Sequence, residues 1–314
     1  MSNTTEEILR SALAAAGYNG RILLSPIPTG RSNHVFKVSP SGGPDFIARL
    51  SRHQDNRFEM EQAVMAVAQG AGIPVPDVMD LVPVPTGDQS VLLLSLVDGV
   101  TLEHAAAGIS HDALDDLAGQ VGRTLASIHS LAIGSGYGNL DPNLDGRSAS
   151  LGEWFIDRFR LTIKEVREHL VSDREVTETL DIVENYILVR RSILSEIKPV
   201  LLHGDFRPGN ILVADGRISG IIDWEAAKSG PPAFDFGWWD WMAGDSETPF
   251  PSTALHQGYL EHRQLDSATF DALRQLAIAR ITIGHLGWLI RTENPGGFKS
   301  AREKLVAMRK AFAA

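Results

Sequence analysis

Three polar residues stand at fixed offsets in Leu201-Leu-His203-Gly-Asp205-Phe-Arg-Pro-Gly-Asn210, and a further acid follows in Ile221-Ile-Asp223-Trp-Glu225. The order His, Asp, Asn and later Asp is that of a phosphoryl-transfer site. In such a site one carboxylate takes the proton of an attacking hydroxyl, while an amide oxygen and a second carboxylate hold a metal on the phosphates. A tight loop can serve both partners if its Asp faces the nucleophile and its Asn, five residues on, faces the metal. Asp205 is the candidate base, and Asn210 and Asp223 are the candidate metal ligands. His203 is expected to orient the loop rather than exchange protons. Any one of these residues alone would read as a buried His or a turn-capping Asp beside a hairpin; the set at these spacings reads as a site.

Such a loop needs anchored ends. Val200-Leu201-Leu202 precedes it and Ile211-Leu212-Val213 follows, then Ala214-Asp215-Gly216-Arg217 reads as a turn and Ile218 to Ile222 as a second short strand that delivers Asp223 to the same place. A literal Asp235-Phe236-Gly237 comes later, after Gly230-Pro231-Pro232 redirects the chain. Its apolar neighbours Phe234, Phe236 and Trp238 read as the start of a buried helix. Asp235 is therefore expected to accept backbone N–H bonds, bracing the loop from behind or capping the helix, and not to hold metal.

The rest of the chain sorts into two parts. Asn3 and Glu6 form a capping-box pattern for a first helix to about Ala16. Strand-like runs then dominate: Arg21 to Leu24, His34 to Val38, Phe46 to Leu50 and Val91 to Leu96, interrupted by one helix from Arg57 to Gly70. From Leu102 onward helical periodicity takes over, in Asp112 to Leu131, Leu151 to Leu170, Val176 to Glu196, Leu255 to Gln264, Ser267 to Arg291 and Phe298 to Ala313. The break at Val97-Asp98-Gly99 marks a boundary between a β-rich N-terminal lobe, 1–97, and a mainly helical C-terminal lobe, 98–314, in an α+β fold.

A chain of 314 residues with 43% apolar composition can bury a large core. The absence of cysteine excludes disulfides, thiolate nucleophiles and thiolate-ligated metal centres. The acidic start does not read as a secretory signal, and no apolar run reaches the roughly 18 residues needed to span a bilayer, so a cytoplasmic location is expected. A formal net charge of −10 would repel a phosphate backbone, which argues against nucleic acid or an anionic membrane as partner and is compatible with a neutral or cationic small substrate.

These motifs resemble the aminoglycoside phosphotransferase and choline-kinase-like family, which shares the bilobal protein-kinase-like fold. The supporting pieces are Pro28-Thr-Gly30-Arg-Ser-Asn33, Phe46-Ile-Ala-Arg49-Leu50, Leu92-Leu-Leu-Ser-Leu-Val-Asp98-Gly99, Leu125-Ala-Ser-Ile-His129 and Gly230-Pro-Pro-Ala-Phe-Asp235. The resemblance implies ATP, with GTP as an alternative, and Mg²⁺ as cofactors. It also implies that Gly30 and Ser32 lie over the phosphates, that Arg49 takes the place of the strand lysine, and that Ser95 and Val97 form the adenine-binding hinge. The cation needs a carboxylate partner, and Glu61 lies nearer the apolar stripe of its helix than Glu59 does. His129 reads as a satisfied core histidine. The run Trp238-Trp239-Asp240-Trp241 reads either as helical core packing or as a pocket wall.

The activity so implied is a kinase with an alcohol group as acceptor, phosphorylating an aminoglycoside-like or other small hydroxylated molecule, as a monomer or homodimer. Choline, an amino alcohol or a sugar are alternative acceptors. A protein kinase is disfavoured because no H-R-D, V-A-I-K or A-P-E sequence occurs. Two further alternatives are a catalytically silent nucleotide-binding protein and a metal-dependent hydrolase with His203, Asp205 and Asp223 as ligands.

Overall fold

In the computed structural model, residues 3–28, 33–52, 57–84, 89–190, 197–243, 250–264 and 266–312 are described. The N-terminal part is an antiparallel sheet of β1 (Ile22–Ile27), β2 (Asn33–Pro40), β3 (Phe46–Ser51), β4 (Val78–Pro83) and β5 (Ser90–Ser95), in the order β1-β2-β3-β5-β4. Helix Asn3–Ala15 covers one face, and Leu9, Leu13, Phe36, Val38, Phe46, Val91 and Leu93 form a small core there. Leu92 and Leu94, alternating to the other face of β5, join a second and larger core with Phe58, Met60, Val64 and Met65 of helix Phe58–Gly70. The sheet is thus apolar on both sides, and the helix on its second face ties it to the rest of the protein.

Two small sheets carry the loop. The first holds β6 (Val100–Thr101), β10 (Ile211–Ala214) and β11 (Arg217–Ile221) in the order β11-β10-β6. The turn between β10 and β11 has Asp215 at φ 50° and Gly216 at φ 71°, the double left-handed geometry that an Asp-Gly pair favours in a hairpin. The second holds β7 (Tyr137–Leu140), β8 (Gly146–Ser148), β9 (Val200–Leu202) and β12 (Lys228–Gly230) in the order β8-β7-β12-β9. In it Lys228 pairs with Leu202, the residue just before the loop.

Helices build the remainder: His111–Ile128, Arg158–His169, Arg174–Val189, Ala233–Ala243, Ser252–Leu260, Ser267–Arg291 and Phe298–Ala307. Ser110 caps the first of these by accepting from the Ala113 amide at 3.3 Å. The segment expected as one helix from Leu151 opens with a π-helical stretch, Gly152–Asp157, before Arg158–His169. The helix expected to run to Glu196 is described as Arg174–Val189, and 191–196 lie outside the described residues. Strand β4 was not anticipated, because Asp80 and Pro83 break its apolar pattern; it is an edge strand, where a proline is tolerated. Among the described residues no helix is long and apolar enough to cross a membrane.

Candidate active site

The loop between β9 and β10 is held from three directions by hydrogen bonds. From behind, Asp235 in the first turn of helix Ala233–Ala243 accepts the amide N–H groups of His203 at 2.9 Å and Gly204 at 2.8 Å. His129 Nε2 lies 3.1 Å from the same carboxylate and its Nδ1 lies 2.9 Å from the Tyr259 hydroxyl, so this buried histidine has both ring nitrogens satisfied. Burial holds His129 below the usual histidine range, which leaves it neutral with its Nε2–H donating to Asp235. Burial alone would raise the Asp235 pKa, but the hydrogen bonds from His129 and the loop outweigh it and hold the carboxyl low. Fully buried and surrounded by donors, Asp235 is a brace for the loop rather than part of its open face.

Across the loop, His203 Nε2 donates to the Ile222 carbonyl at 3.0 Å, and its Nδ1 accepts from the Asp205 amide at 3.3 Å. With one nitrogen facing a carbonyl and the other an N–H, the tautomer is fixed and no lone pair is left for a metal. This disfavours the hydrolase alternative. At the far end the Asn210 carbonyl accepts from the Ile222 amide at 3.0 Å. Both polar backbone groups of Ile222 are therefore clamped by the loop, and the next residue is Asp223.

At the open face, Asn210 Nδ2 donates to the Asp205 carbonyl and to Asp205 Oδ2, both at 2.9 Å. These bonds engage the NH₂ end and leave the amide oxygen for other partners. Arg207 Nε lies 3.2 Å from Asp205 Oδ2. Asp223 adopts φ 68° and ψ 59°, a left-handed conformation that Asp and Asn tolerate better than other side chains. The Asp205 and Asp223 side chains are 25% and 30% exposed, enough to reach a ligand. Gly204, at φ 81°, belongs to the same construction: a Cβ there would lie 2.1 Å from the Ala226 carbonyl oxygen, so only glycine lets the loop pass.

Arg49, buried on β3, reaches down from the sheet to join this face. Its guanidinium pairs with Glu61, with Asp223 Oδ1 at 2.9 Å and with Glu225 Oε2 at 3.0 Å. Burial works against the Arg49 charge, and the three carboxylates more than offset it. Glu61 is wholly buried in helix Phe58–Gly70, whereas Glu59 is exposed. Burial, with smaller contributions from Asp223 and Glu225, raises the Glu61 carboxyl to about 7 against the pull of Arg49. The resemblance puts Arg49 in the place of the phosphate-contacting strand lysine; its described partners are carboxylates. Glu225 was not singled out from the sequence, yet it also accepts from Asn33 and, through its carbonyl, from Arg57 at 2.8 Å.

The proposed hinge residues differ from each other. The Ser95 amide donates to the Asp77 carbonyl at 2.9 Å and its hydroxyl accepts from the Asp77 amide at 2.8 Å, so its donor is closed to an adenine ring. Val97 is half-buried, with its side chain against Gly220 of β11. Gly30 and Ser32 lie outside the described residues. In the tryptophan run, Trp239 is core, Trp241 donates to Thr282 at 3.1 Å, and Asp240 pairs with Arg274; Trp238 alone lines a cavity beside the loop.

Among the described residues no group of three or more His, Asp or Glu could hold a metal by itself. That suits Mg²⁺, which is usually bound by one or two carboxylates together with substrate phosphates and water. The Asp223 carboxylate and the Asn210 amide oxygen are all-oxygen donors of the type that would suit it.

An antiparallel lobe joined through its helix to a helical part that carries a braced loop defines a protein-kinase-like phosphotransferase fold. A model of the phosphotransferase enzyme family matches residues 24–276, and the chain belongs to that family; it is a phosphotransferase with an alcohol group as acceptor. Homoserine kinase of Gluconobacter oxydans is 27% identical over 281 residues, 86% of this chain and 83% of that protein. The uncharacterised protein YcbJ of Bacillus subtilis is 43% identical over 49 residues, which is only 15% of this chain and 16% of YcbJ. Among solved structures, the apo form of a thermostable aminoglycoside phosphotransferase APH(4)-Ia mutant has a TM-score of 0.75 at 18% identity, covering 97% of this chain and 99% of that one. A thermostable mutant of the same protein in ternary complex with AMP-PNP and hygromycin B gives 0.73 at 18% identity, covering 96% and 99%. The GDP complex of wild-type aminoglycoside 2'-phosphotransferase-IIIa gives 0.74 at 16% identity, over 100% of both chains. At these identities the likeness is one of fold.

Proposed function

We propose that this protein transfers the γ-phosphoryl group of a nucleoside triphosphate, ATP in the first instance, to a hydroxyl of a small molecule. The single observation that supports this reading is the double clamp on Ile222, which ties the residue before Asp223 to His203 and Asn210 of the loop that carries Asp205. Asp205 orients the acceptor hydroxyl and takes its proton. Hydrogen bonds from Asn210 and the nearby Arg207 guanidinium fix its carboxylate.

Asn210 and Asp223 hold Mg²⁺, which when bound neutralises charge on the phosphates. Arg49 links Glu61 to Asp223 and so ties the nucleotide-side lobe to the metal site, with Val97 at the adenine edge. Since the transition state is loose, the work of these residues is positioning and charge stabilisation. The lobe boundary near residue 97 separates the nucleotide side from the acceptor side. Solved relatives carry both adenine and guanine nucleotides, which leaves GTP as an alternative donor.

For the acceptor, the relatives offer an aminoglycoside such as hygromycin B and an amino acid alcohol such as homoserine. The test is a coupled ADP-release screen over aminoglycosides, amino alcohols, hydroxy amino acids, choline and sugars, with Asp205→Ala as control. Acceptor-dependent ADP release that vanishes in the control supports the reading. If no acceptor stimulates release, or if the control keeps near-normal turnover, the reading fails.

A further inference from the structure

Beside the loop lies a cavity walled in part by the aromatic rings of Trp154, Phe155, Phe234 and Trp238, and lined also by the cations Lys228 and Arg280 and by the buried Asp235 carboxylate. Lys228 projects from β12, the strand that pairs with β9 at the root of the loop. Its Nζ would lie 3.3 Å from a Cβ on Gly204, which places the amino group beside the residue preceding Asp205. Arg280 enters from helix Ser267–Arg291, its guanidinium 5.6 Å from the Trp154 ring centre and 5.5 Å from that of Phe155. Among the described residues neither cation makes a hydrogen bond or an ion pair, in contrast to Arg49 with its three carboxylates.

Placing two like charges in a cavity whose one carboxylate, Asp235, is already engaged by His129 and the amides of His203 and Gly204 is unfavourable, and an apolar residue of the same size would remove the penalty. The arrangement shows in the acidity of both groups. Burial, then repulsion from Arg280 and Arg57, brings the Lys228 ammonium down to about 8. Burial, then Arg158, brings Arg280 down to about 10.

We propose that Lys228 and Arg280 form a subsite for a carboxylate of the acceptor, so that the substrate is a hydroxy acid or a hydroxyl-bearing amino acid. A guanidinium fork and an ammonium meet the two oxygens of a carboxylate well, and the aromatic walls exclude water from the pair. A monoanion suits the site better than a phosphate, because Asp205 and Asp235 already act on Lys228 with opposite charge and would oppose a dianion. This departs from the neutral or cationic acceptor expected from the net charge of −10: that charge belongs to the whole chain, and the cavity beside the loop is locally positive. The assignment rests on the kinase reading for the hydroxyl end of the substrate, which Asp205 must reach while the carboxylate is held at Lys228 and Arg280.

The test uses the full chain with AMP-PNP and Mg²⁺, titrated with L-homoserine and 4-hydroxybutyrate, with their carboxamides, and with glycerol 3-phosphate, in wild type, Lys228→Met and Arg280→Met. We expect each carboxylate to bind the wild type about 10- to 100-fold more tightly than its amide, the range for loss of charge-assisted hydrogen bonds. In either variant the ratio should fall below about threefold. Lys228→Met should melt at or above the wild-type temperature, which a merely structural lysine would not allow. Equal binding of acid and amide, a preference that survives in both variants, or tighter binding of the phosphate overturns the proposal. ADP release with cationic acceptors alone would sink it and spare the kinase reading. Carboxylate-selective binding without ADP release from any acceptor would do the reverse.

Discussion

Asp223→Asn and Asp235→Asn change the same atoms of two aspartates, yet the structure predicts opposite consequences. Asp235 accepts from three donors, the amides of His203 and Gly204 and the His129 ring, in a site with no water access. An asparagine keeps one acceptor oxygen and turns an NH₂ group toward the rest. His129 can respond by switching tautomer, since the Tyr259 hydroxyl on its other nitrogen can either donate or accept. A backbone N–H cannot respond, and one amide of the loop is left buried without a partner. Losing a charge-assisted bond and orphaning a donor should together cost about 3–5 kcal/mol. For a chain of this size that lowers the melting temperature by about 5–10 °C.

Asp223→Asn meets none of these penalties. Asparagine accepts the left-handed backbone, and Arg49 keeps Glu61 and Glu225, so the change in stability should stay within about 1 kcal/mol. What should fall is Mg²⁺-dependent binding of AMP-PNP, by about 10- to 100-fold. Scanning fluorimetry reads the first effect and calorimetric titration at 20 °C, with and without Mg²⁺, reads the second. If Asp235→Asn abolishes metal-dependent binding while melting normally, and Asp223→Asn melts early while binding normally, the roles assigned here are wrong.

Asp205→Ala should lower turnover by roughly 10²- to 10⁴-fold with nucleotide affinity nearly unchanged, as measured by initial rates beside a binding isotherm. Gly204→Ala meets both a positive φ and the Ala226 carbonyl, so expression at 37 °C and melting should both suffer, and a variant melting within 1 °C of wild type would contradict the close approach. The pH dependence of stability should carry a signature of Lys228, which faces Arg280, Arg57, Asp235 and Asp205. Its pKa is about 8 when folded and 10.5 ordinarily, so between those values the unfolded chain holds a proton the folded chain has released, and this group makes stability rise with pH. Urea titrations from pH 7.5 to 10 should show that rise in wild type and less of it in Lys228→Met. An identical slope in both proteins would contradict the depressed pKa.

The grouping of Asp205, Asn210 and Asp223 was legible because short-range spacing and the Asp-Gly hairpin dictate it, and so was the separation of Asp235 from them, since Pro231 and Pro232 turn the chain away. Glu61 could be told from Glu59 by helical phase alone. The other two partners of Arg49, Asp223 and Glu225, could not be read, because they lie 174 and 176 positions away and meet it only through the packing of the sheet on the helical part. The family resemblance alone places Ser95 at the hinge; its engagement with Asp77 depends on the chain entering β4, an edge strand whose proline and aspartate hide it. Lys228 carried no signal: it lies in a strand of three residues, and only the pairing with β9 brings it to the loop.

The clamp on Ile222 has a bearing on how such an enzyme can change. Its contacts to Asn210 and His203 use the backbone of residue 222, so nearly any apolar side chain there would preserve them. The clamp is thereby separate from the residues that line the proposed acceptor subsite, which come from β12, the π-helical stretch and helices Ala233–Ala243 and Ser267–Arg291. Mutations on those elements can explore new acceptors while the reaction centre keeps its shape. Acceptor preference should thus drift faster than mechanism, and exchanging a few cavity residues is the shortest route to redirecting the enzyme.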